Sequence, residues 1–240
     1  MRCRPIQQFI TFTADGHTWE TPRPILDPYM WLWRVRRHEG RYYGLIQNLS
    51  DLYDAGQNPH QLDLAISEDL LEWKTIARVG DGLNESDIVW RPDGEAWIVS
   101  RTVKGRSSVF ASASPPYTDW TTIDMDPMVH APVMLEHNGD LFVAGRSNPG
   151  SEGIVDAPFN GSSLSVWRVT RGNLEPVLRI PAYGDCSYPG LIKDPDGRIC
   201  ISYYSQHAYL LGVVPRREAT PGMEHPGAAD DVYFAEIELP

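Results

Sequence analysis

The sequence predicts an all-β fold, a β-propeller of four-stranded blades, from two repeat markers sharing one period and a composition rich in turn formers and aromatics. Among 240 residues stand eight Trp, eleven Tyr, twenty Gly and twenty Pro, which suits short strands joined by many turns. The first marker is a hairpin turn with glycine at its tip, ahead of an apolar strand. It occurs at Gly40 before residues 42–46, at Gly94 before 96–99, at Gly139 before 141–144 and at Gly197 before 199–202. Asn-Gly and Asp-Gly supply the positive φ that tight hairpins need. The four glycines stand 54, 45 and 58 residues apart.

The second marker is a strand, a polar turn and a tryptophan. Residues 9–12 lead into Asp15-Gly16-His17-Thr18-Trp19, residues 62–66 into Ser67-Glu68-Asp69 and Trp73, and residues 109–111 into Ser114-Pro115-Pro116-Tyr117-Thr118-Asp119-Trp120. These tryptophans are spaced by 54 and 47 residues. A degenerate copy at 165–169 and a last strand at 232–237 keep the apolar register. A β-sandwich does not require this period. The chain opens on a third strand and closes on a third strand, which predicts four hairpin units and a further blade of leftovers. That makes about five blades in a single propeller domain, 1–240. Residues 214–230, with Pro215, Pro221 and Pro226, read as a loop inserted before the last strand.

Hydrophobic residues at 42% and charged residues at 22% permit a sizeable core and exclude wholesale disorder. The net charge of −11 repels a phosphate backbone, so nucleic acid is not an expected partner. Arg34, Arg36 and Arg37 alternate with apolar residues as a strand would. Cys3, Cys186 and Cys200 have the spacing of neither a zinc site nor a disulfide scaffold. Reduced thiols follow, with no metal or cofactor expected. The first residues lack the apolar stretch of a signal peptide, and no apolar run reaches transmembrane length. The expectation is a cytoplasmic protein without a membrane partner; a removed leader would make it secreted.

In a propeller the innermost strands run along the central channel, so residues at their mouths converge. Nine positions before the turn glycines stand Trp31, Glu85, His130 and Tyr188; seven positions after stand Gln47, Arg101, Arg146 and Tyr204. Asn84, Asp185 and Ser187 adjoin the first set, with Arg34 and His207 a few residues away. Aromatic faces stack on the C–H surface of a sugar, amides and charges bind hydroxyls, and arginine forks grip a carboxylate. Each residue alone has a structural reading: a strand-end salt bridge for either arginine, a turn cap for Glu85, core packing for the tyrosines and His130. Their coincidence at one repeat phase is the functional signal.

The chain resembles the sialidase superfamily, in particular its bacterial sialidase-like branch. The resemblance rests on Thr13-Ala14-Asp15-Gly16-His17-Thr18-Trp19, Leu32-Trp33-Arg34-Val35, Asn84-Glu85-Ser86 and Val143-Ala144-Gly145-Arg146. It continues in Gly184-Asp185-Cys186-Ser187-Tyr188-Pro189-Gly190-Leu191 and Ser202-Tyr203-Tyr204-Ser205-Gln206-His207. It implies a six-bladed ring in relatives, whose further N-terminal blades hold one arginine and the acid. It also implies exo-acting hydrolysis of a glycosidic bond with a tyrosine nucleophile, one exception to two-carboxylate glycoside hydrolysis. The expected reaction is release of a terminal, acidic or neutral, sugar. Glu85 and Asp185 are the candidate carboxylates, Tyr188 or Tyr204 the nucleophile, and Arg34, Arg101, Arg146, His130 and His207 the substrate-binding set. The alternatives are a polysaccharide lyase using His207 or His130 with a tyrosine, and a sugar-binding propeller without turnover. A second chain completing the ring would make the protein a homo-oligomer.

Overall fold

A computed structural model describes residues 7–48, 60–103, 107–147, 162–182, 184–210 and 230–240. Its described strands form five sheets. β1 (Gln8–Ile10) and β2 (Arg23–Ile25) make a two-stranded ribbon. Three four-stranded sheets follow in chain order: β3 (Met30–His38) to β6 (Lys74–Asp81) through β4 (Arg41–Asn48) and β5 (Gln61–Ser67); β7 (Leu83–Trp90) to β10 (Thr121–Met125) through β8 (Ala96–Thr102) and β9 (Ser108–Ala113); and β11 (His130–His137) to β14 (Asn173–Ile180) through β12 (Asp140–Ser147) and β13 (Ser163–Thr170). β15 (Cys186–Lys193), β16 (Ile199–Ser205) and β17 (Asp231–Ile237) form a three-stranded sheet, and a single turn of helix, α1 (His207–Leu210), follows β16. Sequential four-stranded meanders are the blade unit, and the fold is a β-propeller.

Both repeat markers have their structural cause. Gly40, Gly94, Gly139 and Gly197 each sit at the turn between first and second strand with φ of 82°, 85°, 87° and 87°, a region L-residues rarely enter. The Asp-containing turns join third to fourth strand. Asp15 Oδ1 accepts the amides of His17 and Thr18 at 2.8 and 2.7 Å, and Asp69 Oδ1 those of Leu71 and Glu72 at 2.8 and 3.0 Å. The Thr13 hydroxyl accepts the amides of Asp15 and Gly16, and the Ser67 hydroxyl those of Asp69 and Leu70. These backbone N–H bonds hold the exposed Asp15 carboxyl down at about 2, because they favour the charged form. The copy at β13–β14 has lost the turn and closes on Arg171-Gly172, with Gly172 at φ 79°.

The blade count differs from expectation. β1–β2 is the third and fourth strand of a repeat, and β17 pairs with β16 as a third strand. β1–β2 and β17 belong to different sheets, giving four hairpin-centred sheets and a two-stranded ribbon among the described residues rather than five blades. Residues 214–229 of the expected loop, and Cys3, lie outside the described residues.

Two compact units are distinguished, Met1–Ile98 with Ala111–Thr122, and Val99–Phe110 with Ile123–Pro240. The first buries Leu45, Leu62, Leu64, Ile88 and Ile98 completely; each contributes roughly 1.5–3 kcal/mol by burial. It also buries charge. Asp87 is wholly enclosed and takes a fork from Arg36, Nε to Oδ1 at 2.9 Å and Nη2 to Oδ2. His38 stacks on Trp90 at 4.3 Å, Tyr43 and Tyr117 close the aromatic cluster, and the Tyr117 hydroxyl donates to Gly94 O at 3.0 Å. The second unit is built on Val133, Phe142, Leu164, Val166, Ile180, Leu191 and Ile201, with Cys186 buried among them.

Candidate active site

The first hairpin of three sheets ends in a bulged register. Trp31 opposes Gln47, His130 opposes Arg146 and Ser187 opposes Tyr204, and each first strand has a register shift next to that pair, at 32/35, 130/133 and 187/190. Bulges re-aim side chains at strand ends. In the first unit the Gln8 amide clamps Leu32 at the edge of the β3 bulge, donating to Leu32 O at 3.1 Å and accepting from Leu32 N at 2.5 Å.

The pairing corrects the repeat alignment at Tyr188. Counting from glycine puts Tyr188 in phase with His130, yet Ser187 holds that place. The β11–β12 turn is the two residues Asn138-Gly139, whereas 194–198 form a longer turn closed by Asp194 N–Arg198 O and Gly197 N–Asp194 O bonds. The longer turn puts one more residue between strand and glycine. The same turn joins β7 to β8, closed by Arg91 N–Glu95 O and Gly94 N–Arg91 O, so Glu85 shares the count of Tyr188, and Asn84 that of Ser187. Tyr188 stands on the bulge at φ 48°, as Ala131 stands at φ 49° on the bulge of β11. Each precedes a proline. Left-handed backbone in a tyrosine is strained, and such strain gathers at functional sites. It turns Tyr188 outward, 53% exposed, while Ser187 is buried.

Four predicted residues of the second unit form one hydrogen-bonded chain. Arg146 Nη1 donates to Asp185 Oδ1 at 3.2 Å and to Cys186 O at 3.4 Å, and its Nη2 donates to His130 Nδ1 at 3.2 Å. Tyr204 donates its hydroxyl to the same Asp185 oxygen at 3.0 Å. The Tyr188 ring lies 5.7 Å from that of Tyr204, tilted by 41°. Gln206, which no repeat marker singles out, accepts the Asp185 amide at 3.0 Å on its side-chain oxygen.

The electrostatics fix protonation states. Burial, and then the Arg101 and Arg146 charges, pull His130 down to about 3. It is a neutral imidazole at physiological pH. Because a guanidinium only donates, His130 Nδ1 is the acceptor and Nε2 carries the hydrogen. Burial, and the hydrogen bond to Asp185, push the Tyr204 phenol well above the usual tyrosine range. Burial likewise pushes the Cys186 thiol up to about 11, an inert core cysteine. Asp230, at the foot of β17, is raised by burial and then by the Asp185 and Asp231 charges.

The remaining predicted residues are placed differently. Glu85 and Arg34 belong to the first unit. Burial works against the Arg34 charge, Asp87 and Glu85 support it, and Arg36 opposes it; the Asn84 side-chain oxygen beside Glu85 is buried without a hydrogen-bond donor among the described residues. His207 packs on Tyr233 at 4.2 Å and its Nδ1 meets Ser205 Oγ at 3.0 Å. A cavity of about 370 Å³ beside the Asp69 turn, lined by Ile66, Glu68, Trp73 and Lys74 among others, contains none of these groups.

No protein-family model and no curated protein matches the chain. Solved structures do. A protein of unknown function from Dyadobacter fermentans superposes with a TM-score of 0.65 at 18% identity, over 82% of this chain and 59% of that one. The xylan β-1,4-xylosidase of Bacillus halodurans gives 0.61 at 9% identity, over 97% and 48%. The endosialidase of phage phi92 gives 0.62 at 12% identity, over 93% and 39%. This chain thus spans roughly two-fifths to three-fifths of their lengths. At such identities the likeness establishes the propeller fold; it extends to a xylosidase as readily as to an endosialidase and does not single out the sialidase superfamily.

Proposed function

We propose that the chain is a glycoside hydrolase that releases a terminal sugar carrying a carboxylate, with chemistry centred on Tyr204 and Asp185. The observation that carries this reading is the shared Asp185 oxygen, 3.0 Å from the Tyr204 hydroxyl and 3.2 Å from Arg146. A phenol held above its usual pKa is a poor nucleophile by itself and needs a base at the moment of attack. Asp185 is that base: it receives the phenolic proton as the Tyr204 oxygen closes on the anomeric carbon, and Arg146 fixes its position. Arg101, Arg146 and the Nε2–H of neutral His130 supply donors for the substrate carboxylate. Tyr188, turned outward by its backbone, flanks the sugar as an aromatic wall. His207, packed on Tyr233, steadies the end of β16. Glu85 and Arg34 are a neighbouring carboxylate and cation of the first unit.

The lyase alternative needs a histidine with a free basic nitrogen. His130 has its lone pair on Arg146, which leaves that role to His207, whose Nδ1 meets Ser205 Oγ. The glycosidases among the structurally similar propellers support a carbohydrate substrate.

The test is turnover of aryl glycosides with and without a sugar carboxylate. Hydrolysis of the carboxylated member, lost in Tyr204→Phe with folding intact, supports the reading. A product absorbing in the near ultraviolet would establish the lyase, and glycan binding without turnover a binding propeller.

A further inference from the structure

The register of the last sheet places a second carboxylate beside this site. Ser187, Tyr204 and Val232 are cross-strand neighbours in one row. Side chains two residues apart share a face, so the next row outward on the same face is Asp185, Gln206 and Asp230. The last pairs of the ladder, Cys186 with Ser205 and Ser205 with Asp231, stand one residue inside this row, and the Gln206 side chain ties it by accepting the Asp185 amide. Adjacent strands lie about 4.8 Å apart, which sets Asp185 and Asp230 two strands apart, about 10 Å between backbones, with the Asp185 carboxylate held by Arg146 and Tyr204. Their charges act on each other. Breaking a glycosidic bond needs a proton donor for the leaving oxygen as well as an attacking group.

We infer that Asp230 is the general acid of the reaction, opposite the Tyr204–Asp185 pair, an assignment that rests on the hydrolase reading above. The division of labour follows from surroundings. Asp185 has the Arg146 guanidinium and the Tyr204 hydroxyl on one oxygen. Asp230 has the negative charges of Asp185 and of its chain neighbour Asp231 acting on it. Such an environment keeps a carboxyl protonated longer. In the first step the Asp230 proton passes to the glycosidic oxygen as the C–O bond breaks and its electron pair goes to that oxygen. Tyr204 oxygen bonds to the anomeric carbon, and the phenolic proton goes to Asp185. In the second step water attacks that carbon and gives a proton to Asp230. The tyrosyl C–O bond breaks with its pair on the phenol oxygen, which takes its proton back from Asp185. Both carboxyls end as they began.

Asp230→Asn is compared with the unmutated chain on two glycosides of one sugar, a dinitrophenyl glycoside and an alkyl glycoside, with melting temperature alongside. An acid matters in proportion to the basicity of the leaving group. Turnover of the alkyl substrate should drop by about a hundred-fold or more, that of the dinitrophenyl substrate only a few-fold, and the alkaline limb of the pH profile should disappear. Equal losses on both substrates, or none, in a folded variant of an active chain overturn the role of Asp230 alone. Turnover of neither substrate by the unmutated chain overturns the hydrolase reading, and this role with it.

Discussion

The Tyr204 hydroxyl donates to Asp185 at 3.0 Å, across the open end of the first hairpin of the last sheet. The contact raises the phenol because ionising it would set a second negative charge against the carboxylate, in a site that burial has partly dried. Removing the carboxylate charge should therefore release the tyrosine. In Asp185→Asn the Tyr204 titration, followed by the phenolate absorbance band or by tyrosine ring-carbon shifts, should move down toward the ordinary value. Tyr204→Phe should slow turnover by about a hundred-fold or more with little change in sugar affinity. A Tyr204 titration unmoved in Asp185→Asn would show that the pair is not coupled.

His130 gives a pH dependence of stability with a definite sign. Its folded value of about 3 lies below the ordinary 6.5. Between those values the unfolded chain binds a proton that the folded chain refuses, so stability should fall as pH drops from about 6.5 toward 3. Above 6.5 the group makes no pH-dependent contribution. His130→Asn keeps an acceptor for Arg146 and removes the titration. Its stability should decline less steeply over that window, by up to about 1.4 kcal/mol per pH unit, read from melting temperatures across the range. Parallel profiles for the two proteins would remove His130 from the balance.

The buried pair of the first unit should be costly to break and of little consequence for chemistry in the second. Asp87 is fully enclosed, with Arg36 as its fork partner and the Ile88 amide on Oδ1 at 2.9 Å. Arg36→Met leaves the carboxylate without its cation and should destabilise by about 3–5 kcal/mol in denaturant unfolding. A loss under about 1 kcal/mol would mean that solvent reaches Asp87.

Much of this arrangement was legible in the sequence because turns declare themselves. A glycine at positive φ is a requirement of the tight hairpin, so Gly40, Gly94, Gly139 and Gly197 marked four sheets, and Asp15 and Asp69 marked turns whose amides they cap. Arg146 and Tyr204 share one repeat phase, and Asp185 adjoins another, because strand ends of equal phase take equivalent places in their sheets. What escaped was set by features without a strong sequence signal. A five-residue turn and a two-residue turn both carry one glycine, which moved Tyr188 out of phase by one residue. Asp230 follows a long segment with no strand pattern, and only the pairing of Asp231 with Ser205 fixes its row.

Gly145 offers a steric test of how tightly the His130 end is packed. A Cβ there would strike the Val129 side chain and lie 2.7 Å from the His130 carbonyl oxygen. Backbone cannot swing aside as a side-chain tip can. Gly145→Ala should therefore cost about 1–3 kcal/mol and weaken binding of a carboxylated sugar by displacing His130. Gly190→Ala meets only Ser202 Oγ at 2.7 Å, a group free to rotate, and should cost less. Equal costs would show that the His130 backbone yields.

Glu85 carries the last prediction, since it stands in the first unit with Arg34 as its electrostatic neighbour and shares a turn count with Tyr188. Glu85→Gln removes a charge and keeps shape, so a role in proton transfer predicts turnover slowed by about a hundred-fold or more with unchanged melting temperature. A role in supporting the Arg34 charge predicts something else. Substrate affinity would weaken several-fold at constant kcat, and Arg34→Met would reproduce the effect. Measuring kcat and KM separately for both variants on a carboxylated aryl glycoside decides between them. Unchanged kinetics in both variants would exclude this pair from the reaction and leave Asp185 as the carboxylate to which the chemistry answers.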